Sequence, residues 1–320
     1  MILDLSKTAF LFPGQGSQFV GMGKDLAVTF PAARQVFAEA DEILGFRLSR
    51  LMWDGPESEL NDTINTQPAL YVHAIAALRI LESHFGSGPD LRPACAAGHS
   101  LGELSALTAA RALSFAEGLR LVRRRGELMK RAGEYAPGGM AAILGLDIST
   151  LEKICAESSC DGEIVQVAND NCPGQTVISG SQRALERAVE AAKAAGARRA
   201  LPLAVSIAAH SSLMAVIQTE FDSAVRNVQL VPPLFPVISN VTACPMVTVP
   251  DIQADLAAQL TSRVRWTESV QAMRGLGVNT FFEIGPASVL TGLLKRIDPE
   301  AKGVPFGTSA DFAQLSSNLA

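Results

Sequence analysis

The segment Gly98-His99-Ser100-Leu101-Gly102 constrains this chain more than any other. Before it stands ACAAG (94–98), a run of small residues that reads as a buried strand, and after it a helical pattern from Leu101 to about Arg111. A serine framed by glycines between a strand and a helix is the nucleophile-elbow pattern. The tight turn lifts the serine oxygen above the sheet, the glycines let neighbouring backbone pass closely, and free N–H groups at the helix start face a reacting carbonyl. A structural turn is the competing reading of GxSxG; the flanking strand and helix favour the nucleophile.

The rest of the chain repeats that rhythm. TAFLF (8–12) reads as a strand stopping at Pro13-Gly14, with helices over 30–44, 68–84 and 115–131. After Gly133 come strand GGMAAILGL (138–146), helix 149–159, strands EIVQVAND (163–170) and TVISG (176–180) about a Pro-Gly turn, helix 181–195 and strand RRALPLAV (198–205). The order βαββαβ is the split βαβ plan of a ferredoxin-like unit. Helices 211–227, 251–260 and 267–275 with strands FPVISNV (235–241) and TFFEIG (280–285) then resume the α/β alternation. The expected fold is an α/β, hydrolase-like large domain with a mostly parallel sheet (1–133 and 205–320) and an inserted ferredoxin-like subdomain (134–204). The last ten or so residues are expected to be loosely held.

A serine nucleophile needs a base. Of four histidines, His73 and His84 lie on or at the end of an apolar helix, and His99 points away from Ser100 within the elbow. His210, after a strand and before a helix, is the candidate base; a helix-capping role is the alternative. Asp147, Asp161 and Asp170 lie between Ser100 and His210 in sequence, but all fall in the insert, so no third triad member is evident. In LRLVRRRGELMKR, Leu121, Val122, Leu128 and Met129 make one helical stripe. At about 100° per residue Arg125 falls within it and Arg123 opposite. A buried arginine must be ion-paired or await an anion, and its planar fork suits a carboxylate. Gly14-Gln15-Gly16 tempts a dinucleotide reading, but Phe19 occupies the last glycine position of GxGxxG. A flexible loop bringing the Gln15 N–H to the elbow is the better reading.

The net charge of -5 removes the usual footprint of a nucleic-acid binder. Basic clusters at Lys130-Arg131 and at Arg183, Arg187, Lys193, Arg198 and Arg199 read as solvated helix faces rather than as a partner patch. Five cysteines without a CxxC pair argue against a disulfide framework, and no histidine spacing suggests a metal. Apolar runs end well short of the ~18 residues needed to span a bilayer, and Asp4 and Lys7 interrupt any signal peptide. A reduced, cytoplasmic protein with no membrane or nucleic-acid partner is expected.

Together FPGQGSQ (12–18), TQPAL (66–70), GHSLGE (98–103), Arg125-Gly126, GGMAAILGL (138–146), NDNCPGQ (169–175), HSSLM (210–214), Trp266 and EIGP…VLTGLLKRI (283–297) resemble the malonyl-CoA:acyl-carrier-protein transacylases of bacterial fatty-acid synthesis along nearly the whole chain. The resemblance implies a malonyl ester on Ser100, His210 as base and then acid, and an oxyanion held by the N–H groups of Gln15 and Leu101. It further implies Arg125 on the malonyl carboxylate, the backbone carbonyl of Gln259 orienting His210, and Gln67 lining the pocket. Malonyl-CoA and phosphopantetheinylated acyl carrier protein would be the substrates, with no cofactor or metal, in a monomer. Ala208-Ala209 departs from the bulkier pairs of many relatives and would widen the acyl pocket toward methylmalonyl, whereas Leu101 resembles malonyl-selective members. Leu104 replaces a commoner aromatic residue, with no functional meaning attached. The rivals are a trans-acting polyketide-synthase acyltransferase, a serine thioesterase and a non-catalytic scaffold.

Overall fold

The computed structural model describes residues 4–85, 91–203 and 205–319. Strands β1 (Thr8–Phe12) and β2 (Cys95–Gly98) are buried along their whole length, because helices cover both faces. Strands β3 (Gly138–Leu144), β4 (Val165–Cys172), β5 (Gln175–Ser181) and β6 (Arg199–Pro202) follow, then β7 (Val237–Ile238), β8 (Pro245–Met246), β9 (Thr280–Ile284) and β10 (Lys302–Phe306). The larger sheet runs β10-β9-β1-β2-β7-β8, parallel except for the β7–β8 hairpin. The smaller sheet is antiparallel in the order β4-β5-β3-β6, the pairing that a ferredoxin-like βαββαβ order requires.

Each sheet has its own apolar packing. Alternation along β3 puts Ala141 and Ile143 against helices Ile148–Ser158 and Gln182–Ala194. Met140 and Ala142, on the other face, line a cavity shared with the larger sheet. Backbone bonds from Val264 N–H to the Ala168 carbonyl (2.8 Å) and from Asp170 N–H to the Val264 carbonyl (2.9 Å) tie the smaller sheet to the larger unit.

Several elements differ from the sequence reading. The helix expected from Pro68 begins at Thr63 and carries Pro68 inside. Proline has no N–H for the carbonyl one turn back, that of Ile64, and Arg123 Nη1 donates to it instead at 3.1 Å. The expected helix 211–227 is a 3-10 turn (Ser212–Ile217) followed by helix Gln218–Arg226. The expected strand 198–205 pairs only over Arg199–Pro202, and its Ala204 lies outside the described residues. The terminus expected to be loose is a helix, Ser309–Leu319; Phe312 packs on Phe306 with ring centroids 4.1 Å apart. Of the basic clusters, Lys130 pairs with Asp62, Arg131 with Glu220, and Arg187 with Glu163.

Candidate active site

Three neighbouring strands of the larger sheet deliver the site at their carboxyl ends, where open α/β sheets bind ligands. The exit of β2 is the elbow. Ser100 takes the left-handed backbone at φ 53°, a strained conformation for a serine. The turn demands glycine on both sides: a Cβ at Gly98 would lie 1.9 Å from the Gly102 carbonyl carbon, and one at Gly102 would lie 2.0 Å from the Phe12 oxygen. The exit of β1 supplies Gln15, whose side-chain oxygen accepts from Thr63 Oγ1 at 3.1 Å. Among the described residues the N–H groups of Gln15 and Leu101 have no hydrogen-bond acceptor. Leu101 begins the elbow helix (Gly102–Ala109), where the helix dipole favours negative charge. The exit of β7 brings Asn240, which the sequence reading missed. Its Oδ1 accepts the Ser100 N–H at 2.7 Å and its Nδ2 donates to the Gly98 carbonyl at 2.7 Å, clamping the turn from outside. The Ser100 N–H is therefore already engaged.

Ser100 Oγ and His210 Nε2 stand 2.8 Å apart. His210 is buried, and its Nδ1 donates to the backbone carbonyls of Gln259 (3.0 Å) and Ser262 (3.2 Å), with no carboxylate there. Those two acceptors fix the tautomer that leaves Nε2 free to take the serine proton. Burial, with the Arg125 charge as a second cause, lowers the His210 pKa to about 3, so the ring is uncharged at ordinary pH and can accept a proton.

Arg125 is 1 % exposed at the centre of its helix's apolar stripe (Phe115–Tyr135, capped by Ser114). Its Nη1 donates to Gln67 Oε1 (2.7 Å), and its Nη2 to Ser100 Oγ (3.1 Å) and Gln259 Oε1 (2.9 Å). All three acceptors are neutral, and Nε is buried without a partner. Burial lowers the guanidinium pKa to about 10, which leaves it charged at neutral pH. Of the two sequence readings of Arg125, the ion-paired one has no carboxylate in contact to support it. Gln67 is buried, its amide nitrogen donating to Thr63 Oγ1 at 2.9 Å.

His99 turns away from the serine, its Nε2 2.8 Å from Asn171 Oδ1 and its ring 5.5 Å from that of Trp266. His73 is buried in its helix, and His84 Nδ1 lies 2.9 Å from its own helix's Ile80 carbonyl. Asp147 caps a helix of the smaller unit and Asp170 takes the Thr267 hydroxyl, so neither serves His210. Ser100, His210 and Arg125 open into a cavity of about 320 Å³. Its apolar wall includes Met140, Ala142 and Val177 of the smaller sheet and Leu203, Ile207 and Ala209. No cluster of three or more His, Cys, Asp or Glu among the described residues is arranged to hold a metal ion.

A serine hydroxyl against an uncharged imidazole, with free N–H groups at the elbow, is an arrangement suited to acyl chemistry. The profile of the acyl transferase domain matches residues 9–309, and the chain belongs to that family of enzymes. It is 47% identical over 300 residues (94% of this chain, 93% of the relative) to the malonyl CoA-acyl carrier protein transacylase of Bacillus subtilis. Among solved structures it is similar to an acyl carrier protein S-malonyltransferase from Vibrio cholerae: TM-score 0.92, 43% identity, covering 97% of this chain and 99% of that one. A malonyl-transacylase solved in complex with its type II polyketide-synthase acyl carrier protein matches with TM-score 0.93 and 42% identity, covering 98% of this chain and 99% of that one.

Proposed function

We propose that the chain moves a malonyl group from malonyl-CoA to the phosphopantetheine thiol of an acyl carrier protein, for fatty-acid biosynthesis, through an ester on Ser100. The carrying observation is the convergence on Ser100 Oγ of a neutral histidine at 2.8 Å and an arginine at 3.1 Å whose other partners are neutral. The histidine makes the serine a nucleophile, and the arginine selects an acyl group that ends in a carboxylate.

In acylation His210 Nε2 takes the Ser100 proton as Oγ attacks the thioester carbonyl. The developing oxyanion is received by the N–H groups of Gln15 and Leu101, and the imidazolium is held by the carbonyls of Gln259 and Ser262 through Nδ1. His210 then protonates the departing CoA sulfur. In the second half the carrier's thiol gives its proton to His210 and attacks the ester, and the imidazolium hands that proton to Ser100 Oγ as it leaves. Arg125, steadied by Gln67 and Gln259, turns its fork to the malonyl carboxylate in both halves. Nucleophile, base, oxyanion donors and carboxylate clamp are all protein groups, so the chemistry calls for no cofactor. A histidine held by backbone carbonyls, rather than by a carboxylate, is a weaker base toward water, which favours transfer over hydrolysis.

The division into a large unit (1–133 and 205–320) and a small one (134–204) puts the acyl pocket between them. No described helix is long and apolar enough to cross a membrane. The similarity to a transacylase solved with a polyketide carrier supports a second reading, in which the same chemistry serves polyketide synthesis. Steady-state kinetics with malonyl-CoA and carriers of both kinds is the test. Parallel double-reciprocal lines, with malonyl appearing only on phosphopantetheinylated carrier, are expected. Hydrolysis that outpaces transfer to every carrier would point to a thioesterase instead.

A further inference from the structure

Glu103, in the first turn of the elbow helix, is fully buried. Its Oε2 accepts the backbone N–H of Asn240 at 2.8 Å, and its Oε1 accepts Gln259 Nε2 at 3.0 Å. Asn240 is the residue that clamps the Ser100 turn. Gln259 gives its side-chain oxygen to Arg125 and its backbone oxygen to His210. One carboxyl thus stands a single residue away from nucleophile, base and arginine. Against it lies the carboxyl of Asp255. Asp255 Oδ1 takes the Ser239 hydroxyl and the Val241 N–H (3.2 Å), while its Oδ2 is buried with no hydrogen-bond donor.

We propose that Glu103 is a positioning residue for the malonyl-binding arginine, acting through the side-chain amide of Gln259. This rests on Arg125 being the malonyl clamp. A side-chain amide has a donor end and an acceptor end, and nothing in its shape decides which way round it sits. Glu103 Oε1 (3.0 Å) and, at longer range, the Ser100 carbonyl (3.2 Å) both accept from the Nε2 end of Gln259, so its oxygen end faces Arg125. The amide is also a spacer: Arg125 is oriented by a carboxyl without touching one, and its charge stays open to the substrate. Burial and the neighbouring Asp255 push the Glu103 pKa well up.

The Glu103→Gln variant tests this. The Asn240 N–H is fixed backbone, so the substituted amide must turn its oxygen to it and present its NH2 to Gln259. Gln259 Nε2 then faces a donor and keeps only its longer bond to the Ser100 carbonyl, so the amide loses the contact that fixes its oxygen on Arg125 Nη2. Acylation of Ser100 is followed by intact mass with malonyl-CoA and with acetyl-CoA, which has no carboxylate to clamp. The ratio of kcat/KM for malonyl over acetyl is expected to fall by about tenfold or more, as for loss of a charge-assisted contact, with acetyl loading losing less than malonyl. Equal loss for both acyl groups, or an unchanged ratio, would overturn the proposal. Should Glu103→Gln fail to fold, Gln259→Met decides: it keeps the backbone carbonyl on His210 but has no amide, so the ratio must fall likewise, and an unchanged ratio overturns the proposal. Malonyl loading of the unaltered chain in the same series separates failure here from failure of the malonyl-transfer reading itself.

Discussion

Ser100 and His210 both sit at left-handed φ, 53° and 58°, where a non-glycine side chain is strained. The surrounding contacts hold them there: Asn240 on the Ser100 N–H, and the Gln259 and Ser262 carbonyls on His210 Nδ1. Asn240→Ala would strip partners from the Ser100 N–H and the Gly98 carbonyl at once, at a cost of about 1–3 kcal/mol for each buried group left unpaired. Malonyl and acetyl loading should therefore fall together, measured by rapid-quench intact mass. Arg125→Ala should separate them, lowering malonyl kcat/KM by about a hundredfold with acetyl loading kept or raised. Equal losses in that variant would remove the carboxylate-clamp role. Since burial depresses the His210 pKa to about 3, the base is already neutral across ordinary pH. The acylation rate should be flat between about pH 5.5 and 8, whereas a rise centred near the ordinary histidine value of about 6.5 would contradict that assignment.

At the scale of elements, the elbow was legible because chemistry and backbone geometry demand the same few residues. Gly98 and Gly102 have no room for a Cβ, so GxSxG announces both the turn and its serine. Gly102→Ala drives a methyl into the Phe12 carbonyl, a backbone atom that cannot step aside. A loss of about 3 kcal/mol in urea unfolding is expected, with loss of acylation. Arg125 was legible as an arginine on an apolar helical face, but its partners were not, since Gln67 and Gln259 come from helices distant in sequence. Asn240 carried no signal at all: a lone asparagine after a strand has no spacing to betray it. Helix limits were misread where local rules had tertiary exceptions. Pro68 looks like a helix start, yet Arg123 takes the carbonyl it frees, and the apolar pattern over 211–227 cannot tell a 3-10 turn from an α-helix. The last helix went unread because it depends on Phe312 meeting Phe306 and Phe30.

Across the whole molecule, the cavity is lined by Ser100 at the end of a strand of the larger sheet and by Met140, Ala142 and Val177 of the smaller one. Stability should carry the mark of histidines buried uncharged. Burial lowers the His73 pKa to about 4, so below about pH 6.5 the unfolded chain takes up a proton that the folded chain refuses, and stability falls as pH drops toward 4. His73→Gln should flatten this dependence between pH 7 and 5 by up to about 1.4 kcal/mol per pH unit, read from urea unfolding. The most direct test of the function is the mass of the intact protein after incubation with malonyl-CoA alone. One malonyl group on the unaltered chain, absent from Ser100→Ala and discharged by phosphopantetheinylated carrier protein, is the expected result. An adduct that persists in Ser100→Ala, or no adduct on folded protein, would contradict the assignment of Ser100 as the nucleophile of malonyl transfer.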